Sequence, residues 1–275
     1  MQLRAPAKVN LSFRIRGRRA DGFHEIETLM TPVSIWDTLT ITRRDDSDEI
    51  EFVCDDPALP TGNDNLVVRA AGLFRNTARL RAGLKIQLEK KIPHGAGLGG
   101  GSSDAATTLL GLNELLGAGL SQTALSELAA QIGSDVAFFI YRSAATCRGR
   151  GDKVEPLRLA SSIPLLLLKP AFGVPTAWAY SRWKEASTVR SEAQEFTGIA
   201  FVNELEPPVF EKFVFLAEIK KWLLVQPEVG AALLSGSGST VFAALHRATD
   251  ASRLAERARA ELDPELWTWA CETVR

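Results

Sequence analysis

The most informative stretch of this chain is PHGAGLGGGSSDAA, which runs from Pro93 to Ala106. Its glycines allow the backbone to wrap closely around an anion. Its Ser-Ser-Asp-Ala-Ala tail starts a helix, and the unpaired N–H groups at a helix N-terminus attract phosphate. We interpret the stretch as a phosphate-binding loop followed by a helix.

Two common nucleotide-binding motifs do not fit the context of this loop. The loop matches G-x-G-x-x-G through Gly95, Gly97 and Gly100, but that pattern also arises by chance. A Rossmann fold needs an acidic residue about 20 positions later, at the end of the next strand. Residues 120–122 occupy that position and fall in a predicted turn between helices. A Walker A loop needs a Lys after the glycines, and this loop has none.

Composition narrows the possible partners. The chain has 275 residues, 45% of them hydrophobic, which is enough for two domains with buried cores. Lys and Arg total 32 and Asp and Glu total 33, so the formal net charge is -1. Such a chain has no overall basic field, and we therefore expect no nucleic-acid or membrane partner.

We also expect a cytoplasmic protein. The three cysteines are too widely spaced for a metal knuckle, and their odd number fits reduced thiols. The start, MQLRAPAKVNL, lacks the apolar segment of a signal peptide. No apolar run approaches the ~20 residues that a membrane-spanning helix needs.

The first half of the chain alternates strands and helices. Residues 5–15 alternate apolar and polar side chains, which predicts a half-buried strand with Lys8 and Asn10 on one face. Asp21-Gly22 predicts a hairpin turn before a second strand at 23–30. We predict further strands at 39–42, 50–54 and 84–89, and helices at 65–80, 104–116, 121–133 and 136–141.

A new pattern begins after residue 153. We predict a buried strand at 164–169, helical segments at 176–184 and 209–224, a strand-turn-strand at 231–245 and a helix at 251–262. This pattern indicates a separate α+β layer, so we place a boundary near 155–162 and divide the chain into domains 1–158 and 159–275. The polar stretch 185–197 is the best candidate for a mobile loop.

Four separated motifs agree, in order, with one known family. They are PAKVNL at 6–11, the glycine loop, IGSDVAFF at 132–139 and LSGSGSTVFA at 234–243. Over nearly its whole length the sequence resembles the GHMP small-molecule kinases. The resemblance implies a two-domain α+β GHMP kinase fold with a ribosomal-S5-like N-terminal domain and a ferredoxin-like C-terminal domain. It also implies ATP and Mg²⁺ as cofactors, with ATP and substrate meeting between the domains.

Further motifs narrow the resemblance within that family. They are DGFHE at 21–25, the triple glycine, GRG at 149–151 and VPT at 174–176. They resemble the branch that phosphorylates the 2-hydroxyl of a cytidine diphosphate-linked methylerythritol, in the non-mevalonate route to isoprenoids. Another GHMP enzyme, of the homoserine, mevalonate or diphosphomevalonate type, stays an alternative, as does a non-catalytic S5-like module that binds RNA. The near-neutral charge and the intact Lys8 and Asp135 disfavour the binding module.

The resemblance also implies catalytic roles. Asp135 matches the Asp of the family's G-x-D-V motif and becomes the candidate base, although an isolated Asp there would more often be an ordinary acid at a helix N-terminus. The family pairs it with Lys8, which could otherwise be a solvated lysine on a half-exposed sheet. An ammonium group beside Asp135 would stabilise its charged form and offset charge on the migrating phosphoryl group. Asn10 would bind the substrate near its reacting hydroxyl.

The remaining implied residues bind substrate and nucleotide. Phe23 would stack on the cytosine and His24 would bind its edge, although a Phe is more often a core residue and a His more often a surface one. The family usually has Tyr at position 23, so Phe23 keeps the stacking face and loses the hydroxyl. Tyr180 would close the other side of the base, and Thr176 would contact the diphosphate or diol.

At the nucleotide end, Asn65 could equally be a helix N-cap, and the hydroxyl of Ser102 or Ser103 could bind phosphate or Mg²⁺. We predict that the turn at 235–239 is flexible and approaches the phosphate loop, although the same residues could form a plain hairpin turn. The implied nucleotide-binding residues are Asn65, Lys90, Pro93, His94, Gly95, Ala96, Gly97, Leu98, Gly99, Gly100, Gly101, Ser102 and Ser103.

Overall fold

A computed structural model describes residues 1–183 and 191–274. Its strands are β1 (Gln2–Arg18), β2 (His24–Arg44), β3 (Ile50–Cys54), β4 (Gly83–Glu89), β5 (Ala145–Gly149), β6 (Lys153–Pro156), β7 (Pro164–Lys169), β8 (Gln194–Phe196), β9 (Ile199–Asn203), β10 (Val229–Leu234), β11 (Val241–Leu245) and β12 (Trp267–Glu272). Its α-helices are α1 (Leu66–Ala78), α2 (Gly100–Leu115), α3 (Gln122–Ile132), α4 (Ser134–Ile140), α5 (Thr176–Arg182), α6 (Glu206–Lys212), α7 (Val214–Leu224) and α8 (Ala251–Glu261).

The larger sheet is built around β1 and β2. Within the described residues it has eight strands, in the order β3-β4-β2-β1-β9-β8, with β5 and β6 attached through β2. β2 is one strand of 21 residues rather than the two shorter strands predicted, because its middle is also apolar and buried at Val33 and Ile35. Its two ends pair with different neighbours, β5 and β4.

Helices α1, α2 and α4 pack against the larger sheet, and α3 packs against those helices. α2 is buried along most of its length, and its residues Ala105, Leu109 and Leu112 belong to the core beneath it. Gly111 lets α2 approach the sheet, because a Cβ built there would lie 2.3 Å from Leu3 Cδ1. The helix that follows the phosphate loop is therefore fixed against β1 and β2.

The second sheet is antiparallel, in the order β10-β11-β7-β12, and α7 and α8 pack on it. The predicted helix at 209–224 is interrupted at Phe213, which ends α6 and precedes α7. β12 was not predicted, because it is an edge strand whose exposed residues include Trp269. The prediction of a mobile loop at 185–197 is wrong for its last part, because Gln194–Phe196 form β8. Residues 185–190 lie outside the described part of the chain.

The two halves of the chain share a sheet. β9 pairs in parallel with β1 through Ser12 and Val202 and through Phe13 and Asn203, so the predicted second domain adds strands to the first. A shared apolar cluster includes Val9 from β1 and Phe242 from β11. The division at 158/159 stays a prediction. Among the described residues, no helix has both the length and the apolar character to cross a membrane.

Candidate active site

In the glycine loop, buried apolar residues alternate with glycines that have positive φ values. Ala96 and Leu98 are buried in the core shared by the two halves, whereas Gly95, Gly97 and Gly99 have φ values of +64°, +74° and +70°. Side chains rarely adopt such φ values, which explains why glycine occupies alternate positions. At Gly97 a Cβ would also lie 2.3 Å from the Ser235 carbonyl oxygen. The alternation therefore anchors the loop through its apolar residues.

Three carbonyl groups of the loop are held by the rest of the protein. The backbone N–H of Lys8 donates to Leu98 O at 2.9 Å, Ser235 Oγ donates to Gly97 O at 2.9 Å, and the Thr240 N–H donates to Ala96 O at 3.1 Å. The turn at 235–239 approaches the loop as predicted. The prediction that this turn is flexible does not fit its environment, because Ser235 is fully buried and bonded to the loop.

The start of α2 offers unpaired donors. Gly99 is the N-cap residue and provides no side-chain cap, and the first backbone bond of the helix runs from Ser103 N–H to Gly99 O at 2.9 Å. The N–H groups of Gly100, Gly101 and Ser102 thus have no partner within the helix. Ser102 lines the cavity beside the loop, but Ser103 is fully buried and does not. The structure therefore favours Ser102 over Ser103 as the hydroxyl that meets a ligand.

Lys90 lies in a buried ionic cluster beneath this helix. Its Nζ donates to Asp104 Oδ2 at 2.8 Å and also to Asp37 Oδ2. Asp37 Oδ1 accepts the backbone N–H groups of Lys91 at 2.6 Å and Ile92 at 2.9 Å. Burial acts to lower the pKa of Lys90, but Asp104 and Asp37 outweigh it and raise that pKa. Two of the three ammonium donors are thus used by the protein itself.

Asn65 caps α1. Its Oδ1 accepts the Val67 N–H at 2.9 Å, and its Nδ2 donates to Pro60 O at 2.8 Å. The alternative of a helix cap is therefore correct, and Asn65 also lines the cavity with Pro60 and Leu66. Pro60 and Leu66 give this end of the cavity apolar walls beside the polar Asp64 and Asn65.

Lys8 and Asp135 meet at the middle of the cavity. Lys8 Nζ lies 3.9 Å from Asp135 Oδ2, and the exposed fractions of the two side chains are 5% and 39%. The alternative of a solvated lysine on a half-exposed sheet is wrong, because the glycine loop and the 235–239 turn cover that face of β1. Burial lowers the pKa of Lys8, and Asp135 partly offsets that effect. The lysine is thus a desolvated cation beside an accessible carboxylate.

The carboxylate of Asp135 does not cap α4. The N-cap residue of α4 is Gly133, and no side chain makes the capping hydrogen bond. Asp135 lies in the first turn, where a negative charge is favourable, and it lines the cavity. Its side chain is therefore free to meet a ligand.

Asn10 is more closely tied to the protein than predicted. Its Oδ1 accepts a hydrogen bond from Lys8 Nζ at 2.6 Å, and its Nδ2 donates to Thr28 Oγ1 at 2.8 Å. Asn10 also lines the cavity. A contact with substrate would have to use the remaining donor or acceptor capacity of the amide.

Aromatic side chains gather at the other end of the cavity. Phe23 is 54% exposed, and Arg150 Cζ lies 5.1 Å from its ring centroid. The rings of His24 and Tyr180 have centroids 5.3 Å apart with planes tilted by 31°, and His24 meets Trp183 edge-on at 5.5 Å. Burial and the nearby Arg18 lower the pKa of His24, which favours the neutral imidazole.

Thr176 lies at the start of α5, and its Oγ1 is 3.0 Å from Ser237 Oγ in the 235–239 turn. The cavity residues without a role in the sequence prediction include Arg18, Arg150 and Trp183. In the sequence Arg18 belongs only to a local run of basic residues, Arg14, Arg16, Arg18 and Arg19, and Arg150 only to the GRG motif. Trp183 has no local signal, because its place depends on how α5 ends.

One cavity of about 1200 Å³ connects these groups. It is larger than the ~300–1,000 Å³ of a typical small-molecule pocket, so it has room for two ligands. The predicted residues that line it are Lys8, Asn10, Phe23, His24, Asn65, Lys90, Pro93, His94, Gly95, Ala96, Gly97, Leu98, Gly99, Gly100, Gly101, Ser102, Asp135, Thr176 and Tyr180. The Lys8–Asp135 pair lies between a phosphate-binding loop and an aromatic end, an arrangement suited to group transfer between two ligands.

Comparison with known protein families agrees with this geometry. Residues 65–143 match the GHMP kinases N-terminal domain, and residues 184–263 match the GHMP kinases C-terminal domain. A homoserine kinase from Cytophaga hutchinsonii has the same fold, with a TM-score of 0.75 at 19% identity over 100% of this chain and 94% of that one. The chain belongs to the GHMP kinases, and the predicted fold class is confirmed.

Relatives with higher sequence identity belong to one branch of the GHMP kinases. A 4-diphosphocytidyl-2-C-methyl-D-erythritol kinase from Methylacidiphilum infernorum is 42% identical over 96% of this chain and 93% of its own length. One from Geobacter sp. strain M21 is 38% identical, covering 100% of this chain and 98% of its own. A crystal structure of 4-(cytidine 5'-diphospho)-2C-methyl-D-erythritol kinase superposes with a TM-score of 0.83 at 35% identity, over the full length of both chains.

Proposed function

We propose that this kinase transfers the γ-phosphoryl group of ATP to the 2-hydroxyl of 4-diphosphocytidyl-2-C-methyl-D-erythritol. The observation that carries the proposal is the position of the Lys8–Asp135 pair, which lies in one cavity with the glycine loop and the aromatic cluster. Phosphoryl transfer needs a phosphate cradle, charge neutralisation and a group that orients the attacking hydroxyl. The cavity offers all three.

The donor side uses backbone groups. The unpaired N–H groups of Gly100, Gly101 and Ser102 would hold the phosphates at the positive end of α2. The end with the apolar walls of Pro60 and Leu66 would receive the adenine. In this arrangement the γ-phosphoryl group would point toward Lys8.

The acceptor side uses the charged pair. Asp135 would accept the proton of the substrate hydroxyl, and Lys8 would stabilise the carboxylate and the negative charge on the transferred phosphoryl group. At the far end Phe23 would stack on the cytosine and His24 would contact its edge. Arg150, which lies over the Phe23 ring, adds positive charge near that end.

The start of α2 also fits a Mg²⁺ ion. Mg²⁺ is usually held by one or two protein oxygens together with nucleotide phosphates and water. Ser102 lines the cavity there, and Asp104, whose buried Oδ1 has no hydrogen-bond partner, lines it too. These two residues would hold the ion, which when bound offsets the charge of the phosphates. Calorimetry of ATP binding with and without Mg²⁺ in Ser102→Ala tests this assignment, because loss of the ligand should reduce the Mg²⁺ dependence.

Initial rates with different acceptors test the substrate. We expect phosphorylation of 4-diphosphocytidyl-2-C-methyl-D-erythritol to exceed that of free methylerythritol by ~10-fold or more in kcat/KM, since stacking of one base is worth roughly 1–3 kcal/mol. Homoserine and mevalonate serve as controls for the other GHMP reactions. Equal efficiency with and without the cytidine diphosphate group would leave a GHMP kinase and rule out the cytidylyl substrate.

A further inference from the structure

Thr28 on β2 is a buried polar residue beside the charged pair that has no part in the mechanism above. Its exposed fraction is 1%, and it lines the cavity next to Asn10. Its Oγ1 takes part in two hydrogen bonds, one with Ser12 O at 2.6 Å and one with Asn10 Nδ2 at 2.8 Å. Both partners belong to β1, so Thr28 joins the two central strands at the site.

The directions of these bonds are fixed by chemistry. A threonine hydroxyl has one proton to donate, and a carbonyl oxygen can only accept. Thr28 must therefore donate its proton to Ser12 O, and toward Asn10 it can act only as an acceptor. The NH₂ end of the Asn10 amide is the end that can donate, so that end turns toward Thr28.

The orientation of Asn10 then determines what Lys8 meets. With Nδ2 turned to Thr28, Oδ1 faces Lys8 Nζ at 2.6 Å and accepts one of its protons. In the reversed orientation an NH₂ group would face the ammonium, and donor would meet donor. The other groups with charge or titratable character facing Lys8 are Asp135 at 3.9 Å and the buried thiol of Cys147, whose pKa burial raises to about 12.

We propose that Thr28 is a positioning residue for the phosphoryl transfer, which acts through Asn10 to orient the ammonium group of Lys8. The proposal rests on the proposed role of the Lys8–Asp135 pair. In it, the hydroxyl of Thr28 sets the direction of a three-residue chain of hydrogen bonds, and the substrate never touches that hydroxyl.

Two substitutions separate the hydroxyl from the shape of the side chain. Thr28→Val keeps the shape and removes the hydroxyl, and we expect kcat to fall ~10-fold or more, because an Asn10 amide without its anchor weakens the charge-assisted bond to Lys8. Thr28→Ser keeps the hydroxyl and should retain kcat within a few-fold. Thr31→Val, at another buried threonine of β2 whose Oγ1 donates to Pro32 O, is the matched control for packing and should leave kcat unchanged.

The pH profile gives a readout that a packing defect would not change. An acceptor at Lys8 Nζ favours the ammonium form, so the pKa of Lys8 falls further when Thr28→Val lets the Asn10 amide turn its Oδ1 away. The alkaline limb of the kcat profile should therefore move to lower pH in Thr28→Val and stay in place in Thr28→Ser and Thr31→Val. If Thr28→Val melts below the assay temperature, Thr28→Ala serves for the same comparison.

A double-mutant cycle tests the route through Asn10. Thr28→Val should have little further effect on kcat in an Asn10→Ala background, because the residue through which it acts is already gone. An unchanged kcat and pH profile in Thr28→Val, or an effect that is fully additive with Asn10→Ala, would overturn the proposal.

Lys8 can also be titrated without any substrate. NMR of protein labelled with ¹³C at lysine Cε, with the signal assigned through Lys8→Met, should show Lys8 titrating at lower pH in Thr28→Val than in the wild type. An identical titration in both would contradict the proposal. If the wild type fails to phosphorylate the cytidylyl substrate, the proposed function fails, while this titration still decides the role of Thr28.

Discussion

At the scale of single residues, Asp135 distinguishes a catalytic carboxylate from a helix cap. Gly133 is the N-cap residue of α4, and the Asp135 carboxylate lies beside Lys8 instead of bonding the helix backbone. The sequence alone left both interpretations open, since an Asp at a helix start serves either purpose. The two interpretations are distinguished by Lys8 on β1, which lies more than a hundred residues from Asp135 in the chain.

We expect Asp135→Asn to reduce kcat by ~10²-fold or more with little change in melting temperature, because it removes a general base and no capping bond. Steady-state kinetics and thermal melting measure the two effects. Asp263→Asn is the control, since that Asp accepts a local backbone hydrogen bond from Glu265 and does not line the cavity. Near-normal turnover in a folded Asp135→Asn protein would refute the catalytic role.

Phe23 gives a second prediction at this scale. It is 54% exposed, so Phe23→Ala should cost little stability. The loss of base stacking should weaken binding of the cytidylyl substrate by roughly 1–3 kcal/mol and leave ATP affinity unchanged. Calorimetry with each ligand measures both. Trp269→Ala removes another exposed aromatic ring, on β12 outside the cavity, and should change neither affinity; equal substrate affinity in Phe23→Ala and wild type would argue against the cytosine site.

The sequence predicted which side chains form the site better than it predicted which residues those side chains contact. Lys8 and Asp135 carry motif signals, but the burial of Lys8 depends on loops from both halves of the chain. Lys90 has a motif signal too, whereas its bonds to Asp37 and Asp104 join three distant segments. A single sequence does not encode such pairings as local patterns. The aromatic end shows the same limit, since Trp183 has no local signal.

At the scale of elements, the start of α2 has more space around its glycine Gly101 than the loop before it has around Gly97 and Gly99. A Cβ built on Gly101 meets nothing closer than Leu66 Cδ1 at 3.9 Å, whereas one on Gly97 would overlap the Ser235 carbonyl at 2.3 Å. Gly99 is also tight, with Lys8 Cγ at 3.0 Å from such a Cβ. The glycines of one motif thus serve two purposes: some allow packing against neighbouring loops, and Gly101 leaves space open to the cavity.

Gly101→Val should raise the Kd for ATP by ~10-fold or more with little loss of stability, because the added side chain occupies space next to the helix N-terminus that binds phosphate. Gly72→Val is the matched control, since Gly72 is also helical and a Cβ built on it would meet nothing within 4 Å. Calorimetry and thermal melting of both variants decide the result. Undiminished ATP affinity in a folded Gly101→Val protein would contradict a phosphate site at this position.

Elements with strong local patterns were predicted, and elements that depend on neighbours were not. The helix ended by Gly133 and capped by Ser121 agrees closely with α3. By contrast, β8 and β9 are short, and they become strands only because β1 offers a free edge. β2 was predicted as two strands but is one: β1 pairs with most of its length, and only its opposite edge changes partner, from β5 to β4.

At the scale of the whole molecule, Asn203 joins the two sheets. It lies at the end of β9, where it pairs with Phe13 of β1, and it is fully buried. Its Nδ2 donates to Leu234 O at 2.8 Å and to Gly236 O at 2.7 Å, and its Oδ1 accepts the Leu205 N–H at 2.9 Å. One amide therefore holds the 235–239 turn against the larger sheet.

Asn203→Ala should lower the free energy of unfolding by about 2–4 kcal/mol, because it leaves buried backbone groups without partners. It should also reduce kcat, since Gly236 packs close to Asn10 and Lys8. Urea unfolding and kinetics measure the two effects. Asn76→Ala, at an exposed position on α1, should stay within about 0.5 kcal/mol of the wild type. A stable and fully active Asn203→Ala protein would show that the turn is held by other contacts.

The three carbonyl bonds that hold the glycine loop are all made with other segments of the protein. Ala96, Gly97 and Leu98 are each fixed by a bond in which no ligand atom takes part. Much of the conformational entropy of ordering this loop is therefore lost during folding and does not oppose nucleotide binding. A preorganised loop need not close over its ligand, so the nucleotide can associate and depart without waiting for the loop to rearrange.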